Sequence, residues 1–149
     1  MNTFDDLLKE WGTLLNKSLY QDQNGACKLL ISKDFYAQIE YKAEEKKLLM
    51  CFFIGSISPG TFRDRLFKEA LKTNHKEPDS GVLSYSHQLD LFCLNAEYDA
   101  SDFKVEDFNH FFMTLTQKGK KWKNYLLEGF LPDLEDNKKN SPPLSYVKP

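Results

Sequence analysis

The sequence predicts an α+β fold: an antiparallel, twisted five-stranded sheet with three helices in the order α-β-β-β-α-β-β-α. Three observations predict it. Apolar residues recur at spacings of three and four in a first, a middle and a last segment, as helices with one buried side require. Five shorter segments between them alternate in polarity or run wholly apolar, as strands do. Turn-length polar stretches join those strands into hairpins. At 149 residues the chain is long enough for one domain with a real core. Residues 1–130 are assigned to that domain, and residues 131–149 to a polar, proline-containing tail expected to be disordered.

The elements follow in order. Thr3 is a good N-cap, and Asp5 and Asp6 stand in the first turn, where the helix dipole favours them. Phe4, Leu7, Leu8, Trp11, Leu14 and Leu15 then fall in one stripe, predicting an amphipathic helix over 4–17. Asp22-Gln23-Asn24-Gly25 is a turn into a strand at Cys27–Ile31. In the next strand Phe35, Ala37, Ile39 and Tyr41 alternate with Tyr36, Gln38, Glu40 and Lys42. The polar turn Ala43-Glu44-Glu45-Lys46 folds it onto Leu48–Ile54, seven consecutive apolar residues. Such a run predicts a central strand covered on both faces.

Pro59-Gly60 ends that strand, and Thr61 is placed to cap a helix over about 62–73. Phe62, Leu66 and Ala70 lie on one side of its wheel, while Phe67 and Leu71 widen the apolar arc to about 180°. A helix on one sheet needs a narrower stripe. The excess faces a second chain or a deeper contact within the same chain, and the first reading, a homodimer, is favoured. Two or three buried Phe or Leu side chains, at roughly 1.5–3 kcal/mol each, suffice to hold a dimer. After a loop containing Pro78, Val82–Tyr85 and Leu89–Leu94 read as a hairpin. The last helix starts near Val105, with Phe108, Phe111, Phe112, Leu115, Trp122 and Leu126 on one stripe. Gly119 shares that stripe and permits close approach of another element, at a helix cost of about 1 kcal/mol.

Composition narrows the function. No apolar run is long enough to cross a membrane, and the N-terminus has neither the basic nor the apolar region of a secretory signal. Cys27, Cys51 and Cys93 are odd in number and sit in apolar strand-like runs, as buried thiols in a reducing compartment do. Residues 1–116 hold thirteen Lys and Arg against eighteen Asp and Glu, and residues 117–149 hold seven against four. An acidic body does not favour a polyanion.

Reactive constellations are missing. His75, His87 and His110 have no ligand partner at metal spacing, and no CxxC, HxH or HExxH occurs. Cys93 could meet His87 across the last hairpin, but amid Leu91, Phe92 and Leu94 its thiolate would be desolvated. Gly55 and Gly60 match no phosphate loop and read as turn and cap. Lys118, Lys120, Lys121 and Lys123 surround Trp122, a pattern seen in nucleic-acid sites. Trp122 joins the apolar stripe, however, and the lysines spread over a wide arc, so a solvated helix face is the better reading. No cofactor is expected. A chain so rich in apolar surface over Lys47–Leu94 and so poor in reactive groups is suited to binding other polypeptides. The alternative is a small α+β ligand-binding domain or enzyme with a cleft between sheet and helices.

Several motifs bear on this choice: Asn24-Gly25-Ala26-Cys27-Lys28-Leu29, Phe53-Ile54-Gly55 followed by Pro59, Leu66-Phe67-Lys68-Glu69-Ala70-Leu71-Lys72-Thr73-Asn74, Gly81-Val82-Leu83, and the closing helix through Phe112, Trp122 and Leu126. With the order of elements, they resemble the class I chaperones of bacterial type III secretion, the Tir-chaperone family, over residues 4–130. Thr73 stands where that family commonly has alanine, and its members are usually more acidic. The resemblance implies a non-catalytic homodimer of the bacterial cytoplasm. It would hold the N-terminal chaperone-binding segment of secreted effector proteins extended and deliver it to the secretion ATPase. It places the dimer contact on the second helix and following strand, at Phe62, Leu66, Phe67, Ala70, Leu71 and Val82. It places effector binding on the first helix and first hairpin, at Leu14, Phe35, Ala37 and Ile39.

Overall fold

Thr3 opens the first helix with a reciprocal cap: its hydroxyl accepts the Asp6 N–H at 3.2 Å, and the Asp6 carboxylate accepts the Thr3 N–H at 3.1 Å. Helix α1 (Phe4–Leu15) stops two residues short of the expected end, because Asn16 turns left-handed (φ 57°) and closes it. A computed structural model describes residues 3–129 and 131. The expected disorder of the tail lies outside the described residues, Leu131 apart.

Five strands follow the predicted order: β1 (Ala26–Ser32), β2 (Phe35–Lys42), β3 (Lys47–Gly55), β4 (Val82–Ser86) and β5 (Leu91–Asp99). They form one sheet, β1-β2-β3-β5-β4, with every pairing antiparallel. Strand β3 is central, as its apolar run predicts. Its second face is not covered, however. Leu48, Met50, Phe52 and Ile54 are buried, whereas Leu49, Cys51 and Phe53 on the opposite face are half-buried. Strand β5 starts two residues later than expected, leaving Leu89 exposed in the turn, and runs on to Asp99. Its polar second half pairs with the first half of β3, from Asn95 opposite Cys51 to Asp99 opposite Lys47.

Helix α2 (Thr61–Lys76) begins one residue earlier than expected, with Gly60 at the cap position. Thr61 is therefore the first helical residue and not the cap. Helix α3 (Val105–Glu128) begins at the expected residue. Among the described residues, α1, α2 and α3 pack on one face of the sheet and share one core. Trp11 of α1 meets Phe108 and Phe112 of α3 edge-on, with ring centroids 5.0 and 4.8 Å apart, and its indole N–H donates to Asn109 Oδ1 at 3.0 Å. Phe92 lies between Phe67 of α2 and Trp122 of α3, with centroids 5.9 Å from each. At Gly119 a β-carbon would come within 2.7 Å of Phe35 Cζ, so α3 lies directly on the start of β2.

Candidate functional site

The covered face of the sheet takes Phe35, Ala37, Ile39, Met50, Phe52 and Leu94; the open face takes their alternates. Strand pairing aligns the open-face residues in rows. One row runs Leu30, Tyr36, Phe53, Cys93, Ser84 and is largely apolar. Tyr36 and Phe53 stack in it with ring centroids 4.8 Å apart, and Leu30 beside them is 70% exposed. The next row runs Lys28, Gln38, Cys51, Asn95, Val82. It floors a groove of about 660 Å³ bordered by Glu40, Glu97 and the Pro78–Asp79 loop. Beneath α1 and α3 the packing is close, with a void of about 10 Å³ among Phe4, Leu7, Leu8, Ile39 and Phe108.

The two edges of the sheet differ. At β4, the outward N–H and C=O of Leu83 are both bonded at 2.8 Å by the side-chain amide of Asn74, at the end of α2. This amide mimics a neighbouring strand and closes the edge there. At β1, the outward groups of Ala26 are bonded to Asp22, its C=O by the backbone N–H at 2.7 Å and its N–H by the carboxylate at 3.0 Å. Alternation puts the amides of Lys28 and Leu30 on the same outer side, and among the described residues no backbone group pairs with them. The row Leu30–Tyr36–Phe53 begins at this free edge.

Several expected site residues need correction. Phe35, Ala37 and Ile39 are buried to 0, 0 and 1% exposure beneath the helices, because they are the covered half of the β2 alternation. Their side chains cannot meet a partner; Tyr36 and Leu30 are the available neighbours. Leu14 is exposed on the last turn of α1. On α2, Leu66 and Ala70 are buried in the chain's own core and do not reach a second subunit. Phe62 and Phe67 are half-buried, and the Phe67 ring stacks on Phe92 and lies 5.4 Å from Tyr85, under the Arg63 guanidinium. Most of the wide apolar arc is thus used within one chain. Leu71 and Val82, 69 and 50% exposed, remain open to a partner.

The lysines of α3 are also not simply a solvated face. Lys118 Nζ donates to the Ser80 carbonyl and hydroxyl at 3.1 and 2.8 Å and pairs with Glu77, tying the α2–β4 loop to α3. Lys123 Nζ donates to the carbonyls of Asp34 and Ile54, both at 2.9 Å. Among the described residues no group of three or more His, Cys, Asp or Glu could hold a metal ion, and no helix is long and apolar enough to cross a membrane.

Comparison with known proteins agrees with this architecture. The model of the Tir chaperone protein (CesT) family matches residues 6–123. The fold is similar to that in the structure of the HopA1–SchA chaperone–effector complex, with TM-score 0.67 and 16% identity over 81% of this chain and 93% of that one. It is similar to a chain of the ExsC–ExsE complex, with TM-score 0.69 and 19% identity over 82% and 92%. It is also similar to the Yersinia pestis type III secretion chaperone SycH in complex with a stable fragment of YscM2, with TM-score 0.63 and 19% identity over 80% and 99%. At these identities the likeness is one of fold. Among curated proteins, none matches the chain.

Proposed function

We propose that this chain, which belongs to the Tir chaperone protein (CesT) family, is a type III secretion chaperone of the bacterial cytoplasm. It holds the N-terminal segment of a secreted effector in extended form and presents it to the secretion apparatus. It works by binding and not by catalysis. The observation that carries this reading is the free outer edge of β1 beside an exposed apolar row, on a sheet whose other edge is closed at Leu83 by Asn74.

An extended segment has two needs, and this edge meets both. Its backbone amides must find partners, which the outward groups of Lys28 and Leu30 supply. Its apolar side chains must leave water, and Leu30, Tyr36 and Phe53 offer a surface continuous with the edge. Ordering a flexible segment costs about 2–5 kcal/mol, so edge pairing alone is insufficient without that apolar contact. Leu71 and Val82 support a homodimer formed through the α2–β4 flank.

Co-expression with N-terminal segments of secreted effectors tests the reading. The expected result is a soluble, protease-protected complex in which exchange of the Lys28 and Leu30 amides slows. No protection for any segment would refute it. Leu30→Pro gives a sharper version. It removes an outward N–H without breaking the β1–β2 ladder, so it should weaken binding while the fold persists; Leu30→Ala separates the side-chain contribution. A Leu30→Pro variant that folds and binds like the parent would place the client elsewhere.

A further inference from the structure

We propose that Cys51 and Cys93 form a cross-strand thiol pair that a small-molecule disulfide converts to an intramolecular disulfide. The two cysteines lie on adjacent strands and on the same open face. Cys51 stands opposite Asn95 and Cys93 opposite Phe53, so they are diagonal neighbours across the β3–β5 ladder. The register shift between Phe53 and Gly55 adds local twist one residue beyond the pair.

The thiols interact. Their contact lowers the pKa of Cys93 below the ordinary thiol value and, with burial, raises that of Cys51, while the Cys93 thiol donates to the Leu91 carbonyl at 3.6 Å. The first proton therefore leaves the pair more easily than it would leave either thiol alone, and the resulting charge belongs to the pair. Cys27 contrasts on every count. It lies on β1, its side chain faces the covered side opposite Ile39, and burial raises its pKa.

Access sets the order of events. Cys51 lines the open-face groove, whereas Cys93 is only 2% exposed. The charge of the singly deprotonated pair rests on Cys93; when Cys51 passes its proton to that sulfur, the Cys51 thiolate so formed attacks one sulfur of the small disulfide, forming a mixed disulfide and releasing one small thiolate, which takes up a proton. Cys93, deprotonated in turn, attacks the Cys51 sulfur and expels the second small thiolate. The protein loses two hydrogens and two electrons, and the small disulfide becomes two thiols. In a reducing cytoplasm the bond would be transient, formed under oxidative challenge and reversed by thiols.

The test uses the full-length folded protein with oxidised glutathione, read by intact mass and by peptide mapping without reduction. The expected product is lighter by two hydrogens, with Cys51 and Cys93 in one linked pair and Cys27 free. Cys93→Ser should instead accumulate a glutathione adduct on Cys51, because no resolving thiol remains. The proposal is overturned by a parent protein that keeps a stable glutathione adduct on Cys51, by a bridge that includes Cys27, or by a parent that reacts at neither cysteine while folded.

Discussion

Replacing Gly119 with alanine sets two effects of known sign against each other. In a helix interior alanine is favoured over glycine by about 1 kcal/mol, so an open site would gain stability. Here the added carbon would lie 2.7 Å from Phe35 Cζ and 3.4 Å from Cε1, while carbon atoms pack best at about 3.5–4.0 Å. Close to an ångström of relief is needed. The Phe35 ring has little freedom to give it, being fully buried, 6.2 Å between centroids from Phe52 and with Lys123 Nζ 6.0 Å from its own centroid. Overpacking of this kind costs about 1–3 kcal/mol. With a ring that cannot give way, the upper part of that range, about 2–3 kcal/mol, applies; net of the helix gain of about 1 kcal/mol, Gly119→Ala should destabilise by about 1–2 kcal/mol, a fall in Tm of about 2–8 °C for a chain of this size. Urea denaturation followed by circular dichroism and tryptophan fluorescence measures it. Adding Phe35→Leu should recover part of the loss, giving a coupling of roughly 1 kcal/mol. A single variant as stable as the parent, or strictly additive effects, would show that Phe35 is not wedged under α3, and would reopen its side chain as a contact for a partner.

Three further outcomes are expected. Asn74→Ala should cost about 1–3 kcal/mol, because two backbone groups of Leu83 lose their partner, and hydrogen exchange at the Leu83 amide should quicken; an unchanged exchange rate would show that the edge is closed by something else. Leu71→Asp and Val82→Asp should lower the mass seen by light scattering without lowering Tm, whereas Phe67→Asp should unfold the chain by losing its stack on Phe92; equal mass in all three would move the dimer contact off this flank. Asp6, Asp22 and Asp99 are held below the ordinary carboxylate value of 3.8, chiefly by backbone N–H donors at Thr3, at Ala26 and Asn24, and at Ser101. Folding favours their charged forms, so their contribution is complete above that value and fades as pH falls through the lower folded-state values. Acid titration of stability should therefore steepen below about pH 4, and Asp22→Asn should flatten that slope.

Helix positions were legible because each helix carries its own period and, for α1, its own cap. The central place of β3 was legible from its apolar run. What escaped depends on pairings between distant residues. The alternation in β2 divides Phe35, Ala37 and Ile39 from Tyr36 and Gln38, but which set the helices cover is decided by α3, where Gly119 admits the Phe35 ring. The second half of β5 is polar because one of its faces is open, so it shows no run of its own. The wheel of α2 marks its apolar residues but not their neighbours, and Phe67 meets Tyr85 of β4 and Phe92 of β5 within the chain. Lys118 and Lys123 resemble solvated charges in sequence and act as ties to carbonyls far along the chain.

These long-range ties also determine which part of the molecule is left for binding. Asn74 closes the β4 edge at Leu83, and Lys118 fastens the adjoining loop to α3. Lys123 holds the β1–β2 turn through the Asp34 carbonyl, which steadies the far end of the first hairpin. The hairpin is thus anchored at its turn and on its covered face, while the outer edge of β1 at Lys28 and Leu30 remains unpaired. An unpaired edge beside an apolar row invites uncontrolled association, and a chain without a partner for it would be expected to blunt that edge as it blunts β4. At β4 a strand added at Leu83 would have to displace the Asn74 amide, whereas at β1 the outward groups of Lys28 and Leu30 are two successive positions without a backbone partner. That asymmetry makes the β1 edge, and not the residues buried beneath α3, the first place to look for a bound segment.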